Sequence, residues 1–374
     1  MSSVASVPKQ RSKAFWPMLV FVPGWIGTAL GLAAAHVSPE KIPALALMGL
    51  VFPLSSGLLL LGTVAICAVR RWKLGGIGAL LVLLSWSHIT SSWGGLGLRG
   101  WDSMEPAQTS LRVMSWNVRQ FNRFGWIEDV SVRDSMLAFL ARQEADVICL
   151  QECFLEDRRS PWMSAQRLKD ATGLPHWSEE FKLGRGHDKL FGLAVMSRYP
   201  VVGKEAIHFE NDKNNSAMYV DLLVNGDTVR VYNVHLSSIG FEKADYEAAR
   251  DVGNEANRNR LLDRLAHAWT KRAQQSELLA NHIESSPHPV ILTGDFNDTP
   301  VSYATQRMRR ALRDAYGVVR PSGGSWLGAT YAGDWPFLRI DQCWADPELE
   351  VNAYQTDDIV LSDHRPIQVV FSWD

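Results

Sequence analysis

The sequence predicts an α/β protein, with mixed sheets covered by helices and about three transmembrane helices ahead of them. Three observations predict it. Three uncharged stretches follow one another at the start of the chain. Strand-like runs joined by turns then alternate with helix-like runs, the texture of mixed sheets under helices and not of a purely parallel sheet. One strand after another also carries an acid, an amide or an imidazole at its end.

The uncharged stretches are Ala14 to Pro39, Ile42 to Val69 and Leu74 to Leu98, none of which holds Asp, Glu, Lys or Arg. At roughly 25 residues each, they are long enough to cross a ~30 Å hydrocarbon core as helices. Three buried helices of a soluble domain would be the alternative, and three such runs separated only by short charged loops argue against it. The first is too long for a signal peptide and lacks a small-residue cleavage site. The third is diluted by His88 and by several Gly and Ser, which suits a shorter or re-entrant segment. Lys9, Arg11 and Lys13 precede the first stretch, and Arg70, Arg71 and Lys73 follow the second. The positive-inside rule assigns both clusters to the cytoplasm. Three crossings then put the rest of the chain outside the cytoplasm; two would leave it inside. A polar linker, 101–110, separates this anchor, 1–100, from a domain expected over 111–374.

In that domain Leu111 to Val118 alternates and is β-rich, and Val132, Met136, Leu137 and Leu140 recur at helical spacing within Val130 to Gln143. Asp146 to Leu150 reads as a short buried strand. Further strands are expected at Leu190–Met196, Val201–His208, Met218–Val224, Val229–Leu236, Val290–Thr293, Leu338–Trp344 and Ile367–Phe371. Asn225-Gly226-Asp227 marks a tight hairpin. Asp263 to Ile283 reads as a long helix, and Pro300 as the opening of another. The charged stretch Ile239 to Arg260 is placed to act as a lid.

Charge is uneven. Residues 1–110 hold eight Lys or Arg and three acids, which leaves 30 basic and 37 acidic residues, a net of −7, in the remainder. A domain of that sign does not attract polyanions unaided by metal ions. The cysteines, Cys67, Cys149, Cys153 and Cys343, form no metal-knuckle spacing. Cys153 and Cys343 each follow a candidate acid closely enough to be neighbours in space, but sequence fixes no pairing.

The strand-end residues carry the chemistry. They are Asn117 in Ser115-Trp116-Asn117-Val118, Glu152 in Gln151-Glu152, His235 in Asn233-Val234-His235-Leu236, Asp295 and Asn297 in Gly294-Asp295-Phe296-Asn297, Asp341 in Arg339-Ile340-Asp341, and Asp363 and His364 in Ser362-Asp363-His364-Arg365-Pro366. Any one alone is an ordinary cap or turn residue. Six such sites are hard to ascribe to turns alone. Carboxylates and amides without thiolates suit a hard cation, Mg²⁺ or Mn²⁺. A His beside acids can hold a phosphate oxygen or act as a general base. No glycine-rich phosphate loop and no Gly-x-Ser-x-Gly appears, which disfavours nucleoside triphosphate chemistry and serine hydrolysis. Attack of metal-activated water on a phosphoester fits the set.

These motifs, in order and spacing, resemble those of the endonuclease/exonuclease/phosphatase superfamily, the fold of pancreatic deoxyribonuclease. The resemblance covers about 111–374. It implies a four-layer sandwich, two facing mixed sheets with helices outside, and an active site at one edge. It implies Glu152 as the main Mg²⁺ ligand with Asn117 and Asp363 beside it, and His364 as general base or transition-state partner oriented by Asp341. Asp295 would position or deprotonate water, while Asn297 and His235 would bind the phosphate. The family usually has Tyr after Arg-Ile-Asp, where this chain has Gln342. Substrates within the superfamily range from nucleic acid to lipid phosphodiesters. With the anchor, the expectation is a membrane-bound hydrolase of lipid-linked or small phosphodiesters; an extracytoplasmic nuclease is the alternative, and a non-enzymatic scaffold the third reading.

Overall fold

The computed structural model describes residues 14–96, 110–156, 162–183, 189–210, 212, 214–240, 243–251, 253–319, 321–323, 328–333 and 335–373. Lys9, Arg11, Lys13 and all of the expected linker except Ser110 lie outside these residues, as do parts of the expected lid.

Helices α1 (Phe15–His36) and α2 (Leu47–Ala68) are long and apolar enough to cross a membrane. They pack through glycine. A Cβ on Gly24 would stand 2.4 Å from the Leu59 amide nitrogen, and one on Gly62 would stand 2.5 Å from the Phe21 Cα. Small residues let the two backbones touch, which is how helices associate where burial from water supplies no drive. Leu19, Ile26, Leu54, Leu61 and Val64 remain exposed on the outside of the pair.

The third uncharged stretch is not one helix. It is α3 (Trp72–Leu84), ~20 Å long at 1.5 Å per residue, and α4 (Trp86–Trp93), bent from it by 69°. The break falls at Ser85, whose hydroxyl donates back to the Leu81 carbonyl at 2.6 Å. The polar residues that dilute the stretch tie α4 to the α/β domain. Arg339 Nη2 donates to the Ser91 carbonyl and Arg309 Nη2 to Ser91 Oγ, both at 2.9 Å, and His88 Nε2 lies 3.0 Å from Gln306 Oε1. Among the described residues there are thus two candidate membrane spans, or three if the bent pair is one.

The strands are β1 (Ser110–Asn117), β2 (Val147–Glu156), β3 (His176–Leu183), β4 (Lys189–Ser197), β5 (Val201–His208), β6 (Ser216–Val224), β7 (Asp227–His235), β8 (Val290–Asp295), β9 (Arg313–Asp314), β10 (Ser322–Gly323), β11 (Asp341–Ala345), β12 (Glu350–Thr356) and β13 (Ile367–Ser372). They form a seven-stranded sheet in the order β10-β12-β13-β1-β2-β4-β3 and a six-stranded sheet in the order β5-β6-β7-β8-β11-β9. Parallel pairs, β1 with β2 and β7 with β8, sit inside otherwise largely antiparallel sheets. Val113, Leu193, Val220, Val231, Ile291 and Cys343 fill the space between the sheets. Helices α5 (Val132–Ala141) and α6 (Ala165–Thr172) cover the outside of the first sheet through Met136, Leu140 and Leu168 on Met114 and Trp116. Beyond α7 (Lys243–Arg250), the long α8 (Glu255–Glu284) covers the second through Leu279 and Ile283 on Leu292 and Trp344. This is the four-layer sandwich expected.

Three local expectations are corrected. Cys153 and Cys343 are both free and occupy different cores, Cys153 under the helices and Cys343 between the sheets. Pro300 does not open a helix. The next one, α9 (Tyr303–Met308), starts after Ser302, whose hydroxyl and Thr305 form a reciprocal cap. Leu338 to Ile340 precede β11 rather than belonging to it.

Candidate active site

Two parallel strand pairs deliver the site to one edge of the sandwich. Asn117 and Gln151 are register partners on β1 and β2, and His235 and Asp295 on β7 and β8. Asp295 is also the partner of Asp341 on β11. Beneath them Gln151 Nε2 donates to Asn233 Oδ1 at 2.7 Å and to Ser115 Oγ at 3.0 Å. Asn233 Nδ2 donates to the Leu150 and Ala194 carbonyls at 3.0 Å. These buried amides cross from one sheet to the other and form the floor of the site.

Glu152 does not end β2. The strand runs on to Glu156, and the β2–β4 register shifts between Leu150 and Cys153. Glu152 sits in that bulge at φ 49°. A non-glycine residue at positive φ costs of order 1 kcal/mol or more, and here it turns the carboxylate out of the sheet into the cavity. Gly294 plays the matching part on β8. At φ 143°, with any Cβ 2.1 Å from the Val234 carbonyl, only glycine fits beside β7.

The side chains then interlock. Asn117 Nδ2 donates to Asp295 Oδ2 at 2.9 Å and to Glu152 Oε1 at 3.3 Å. His235 Nε2 lies 3.7 Å from Asp295 Oδ2 and 3.9 Å from Glu152 Oε1. His364 Nδ1 lies 2.8 Å from Asp341 Oδ2, and its Nε2 points to Asp295 Oδ2 at 3.7 Å. Asn297, at φ 50°, takes its position from two contacts: its N–H donates to Asp295 Oδ1 at 2.8 Å, and its Nδ2 donates to the Leu236 carbonyl at 3.0 Å. Asp363 pairs with Arg119 at 3.1 Å. Glu152, Asp295, Asn297, Asp363 and His364 line one cavity of about 230 Å³. Asn117, His235 and Asp341 stand behind its wall.

Burial sets the electrostatics. Desolvation, aided by Asp341, pushes the Asp295 carboxyl above its ordinary range against the pull of His364 and His235. Burial alone would lower the His364 imidazole, but Asp341 and Asp295 outweigh it and hold it well above the usual histidine value. Asp341 Oδ1 is buried and, among the described residues, has no hydrogen-bond partner. The imidazole is therefore what compensates this carboxylate.

Asp295, Asp341 and His364 are close enough together to hold one ion. His364 Nδ1 is already engaged by Asp341, however, so the trio reads as a proton-holding relay. Glu152 has a quarter of its side chain exposed to the cavity and Asp363 a sixth. Hard oxygen donors open to the cavity, with buried amides steering them, are a donor set that fits Mg²⁺ or Mn²⁺.

Arg119 and Thr330, neighbours of the site, were not singled out from sequence. Arg119 brings a guanidinium into the cavity, 4.6 Å from the Trp126 ring centroid. Thr330 Oγ1 accepts from the Ile340 and Asp341 amides at 3.0 and 2.9 Å and so fixes Asp341. Ser362 Oγ donates to the Asn117 carbonyl at 2.8 Å, and Trp116 Nε1 to the His364 carbonyl at 2.9 Å. Gln342, where the family has Tyr, donates to the Asp298 carbonyl at 2.8 Å and braces the loop after Asn297. Of the expected lid, Ile239 and Gly240 line the cavity.

Two facing sheets with this ring of acids, amides and imidazoles at one edge define the phosphoester-hydrolase class of fold. The chain belongs to the endonuclease/exonuclease/phosphatase family, whose model matches residues 114–364. Residues 19–92 match a second model, a domain of unknown function, DUF8431. The fold is similar to an endonuclease/exonuclease/phosphatase from Beutenbergia cavernae, at 21% identity over 71% of this chain and 72% of that one, with a TM-score of 0.50. It is also similar to one from Bacteroides vulgatus, at 18% identity over 71% of this chain and 100% of the other, with a TM-score of 0.52. No curated protein matches the chain.

Proposed function

We propose that this protein is a membrane-anchored, Mg²⁺- or Mn²⁺-dependent phosphodiester hydrolase whose domain acts outside the cytoplasm on a lipid-linked substrate. The observation that carries the reaction is the single cavity onto which Glu152, Asp295, Asn297, Asp363 and His364 all open. Glu152 would hold the cation, with Asp363 beside it and Asn117 orienting the Glu152 carboxylate. When bound, a divalent cation supplies charge against the phosphoryl oxygens and makes water more acidic.

The chain's own residues do the rest. Asp295, buried and oriented by Asn117, holds the attacking water and takes its proton. His364, kept charged and oriented by Asp341, faces the phosphate through Nε2 and neutralises charge that builds up there. The second N–H of the Asn297 amide binds a phosphate oxygen, and His235, behind the wall, supports the phosphate site through Asp295 and Glu152. Arg119, drawn forward by Asp363, is a further anion contact.

The geometry of the anchor supports the topology. Gly49, near the start of α2, would put a Cβ 2.1 Å from the Val301 carbonyl, so this end of α2 abuts the α/β domain. Arg70 and Arg71 follow the far end, ~30 Å away along the helix. With these basic residues on the cytoplasmic side, the arrangement supports a domain on the other side. Tethering there raises the effective concentration of a membrane-resident substrate. With a net charge of −7 after residue 110, the chain has little long-range attraction for nucleic acid.

The test is a substrate panel on the purified full chain in detergent with Mg²⁺: phosphatidylglycerol, sphingomyelin, a phosphoinositide, plasmid DNA and bis(p-nitrophenyl) phosphate. Cleavage of a lipid and of the aryl diester is expected. Cleavage of DNA alone would replace this reading with the nuclease one.

A further inference from the structure

A second cavity, of about 480 Å³, lies between the anchor and the α/β domain. That is within the ~300–1,000 Å³ typical of ligand pockets. One wall is α2, from Gly49 to Leu61; another is Trp93 at the end of α4; the roof is Thr299 to Val301 and Phe337 to Arg339. The lining is almost wholly apolar. Arg339 Nη2 donates to the Ser91 carbonyl and to Asp314 Oδ2, while its buried Nε and Nη1 have no hydrogen-bond partner among the described residues.

Three features point to its occupant. Leu54 and Leu61, which line it, are two-thirds exposed on a helix apolar enough to lie in a bilayer, so the cavity is open to lipid along that face. Gly49 to Leu61 spans ~18 Å at 1.5 Å per residue, close to half of a ~30 Å hydrocarbon core. Leu338 lines this cavity and the catalytic one alike, and Thr299 follows Asn297 by two residues. The apolar cavity therefore shares a wall, at Leu338, with the cavity that holds Glu152, Asp295 and His364.

We infer that this groove binds the hydrocarbon chain of the substrate, a lipid of the leaflet nearest the domain, while its phosphodiester sits among Glu152, Asp295 and His364. The inference rests on the hydrolase reading above and adds to it where the tail is held and by what. α2 becomes part of the substrate site as well as an anchor. The docking of α4, through Ser91, His88 and Trp93, closes the groove on its second side. Withdrawal of a hydrocarbon chain from water is favourable in proportion to its methylenes, so chain length is the variable that the groove would read.

The experiment uses the full chain in detergent micelles with Mg²⁺ and follows turnover of bis(p-nitrophenyl) phosphate. Dioleoyl- and dihexanoyl-phosphatidylglycerol are titrated in as competitors, so neither needs to be the natural substrate. The variants are Leu54→Trp with Leu61→Trp, which fills the groove from its exposed side, and Leu83→Trp, an equally exposed site on α3 that does not line it. The wild type and Leu83→Trp are expected to bind the long-chain lipid at least about tenfold more tightly than the short-chain one. In the groove-filled variant that advantage should collapse to about twofold or less. An undiminished advantage in the groove-filled variant, or none in the wild type, would overturn the inference and leave the hydrolase reading standing. Absence of aryl diester turnover by the wild type would instead bring down the hydrolase reading, and this inference with it.

Discussion

His364 Nδ1 lies 2.8 Å from Asp341 Oδ2, with both side chains buried, His364 in the lining of the cavity and Asp341 behind its wall. The contact holds the imidazole in place and aims Nε2 at Asp295. Replacing either His364 by Gln or Asp341 by Asn should therefore slow turnover by about 10²–10⁴-fold, the usual worth of a positioned acid–base group. The double variant should be scarcely slower than the worse single one, because a misplaced imidazole is nearly as useless as none. Rates and melting temperatures measured on the same four proteins decide it. Additive losses, or losses that follow the melting temperature, would mean the pair is structural.

The same contact makes a prediction about pH in the absence of metal. The folded-state values of His364 and Asp295 are both raised. The folded protein thus binds more protons than the unfolded chain above the ordinary values, ~3.9 for Asp and ~6.5 for His. The His364 contribution is fully present below pH ~6.5 and is lost as pH rises through its folded value; that of Asp295 fades from pH ~3.9 upward. In excess chelator, the melting temperature should fall from pH 6 to pH 9. That fall should be shallower in His364→Gln. Identical slopes for the two proteins would show that the imidazole is not held charged.

The α1–α2 contact predicts a sharp difference between glycines. Gly24→Leu drives a side chain into the backbone at Leu59, whereas Gly76 on α3 has nothing within 4 Å of an added Cβ. Overpacking of this kind costs about 1–3 kcal/mol or more. Gly24→Leu should lower the melting temperature in detergent by several degrees and Gly76→Leu should leave it unchanged. Equal behaviour of the two would mean that α1 and α2 do not meet along this face.

Topology is testable without the catalytic assay. A reporter that is active only outside the cytoplasm, fused after Asp374, should be active. Activity of a cytoplasm-only reporter at the same position would mean that α3 and α4 do not complete a crossing.

Much of the fold was legible because its signals are local. Val201–His208 lies between clear turns, and Asn225-Gly226 marks the hairpin between β6 and β7, seen here at φ 54° and 109°. Strand-end polar residues cluster because parallel pairs deliver their ends to the same edge, so Asn117, His235, Asp295, Asn297 and His364 were legible as a set. What was hidden depended on distant contacts. β3 and β12 carry charged and amide residues among few apolar ones, and only the neighbouring strand fixes them. Nothing before Glu152 announces a bulge, since the shift is a property of the β2–β4 pairing. Arg119 sits in a turn at positive φ that no local preference predicts. The bend at Ser85 and the docking of α4 require Arg309 and Arg339, more than two hundred residues away.

The central claim is that Glu152 and a divalent cation make this cavity a phosphodiesterase. The most direct measurement is hydrolysis of bis(p-nitrophenyl) phosphate by the full chain and by Glu152→Gln, each with Mg²⁺ and then with excess chelator, alongside their melting temperatures. Turnover by the wild type should be abolished by chelator and restored by Mg²⁺. Glu152→Gln should lose about 100-fold or more, the scale of removing one group that stabilises developing charge, with little change in melting temperature. Undiminished turnover in chelator, or full activity in Glu152→Gln, would contradict it.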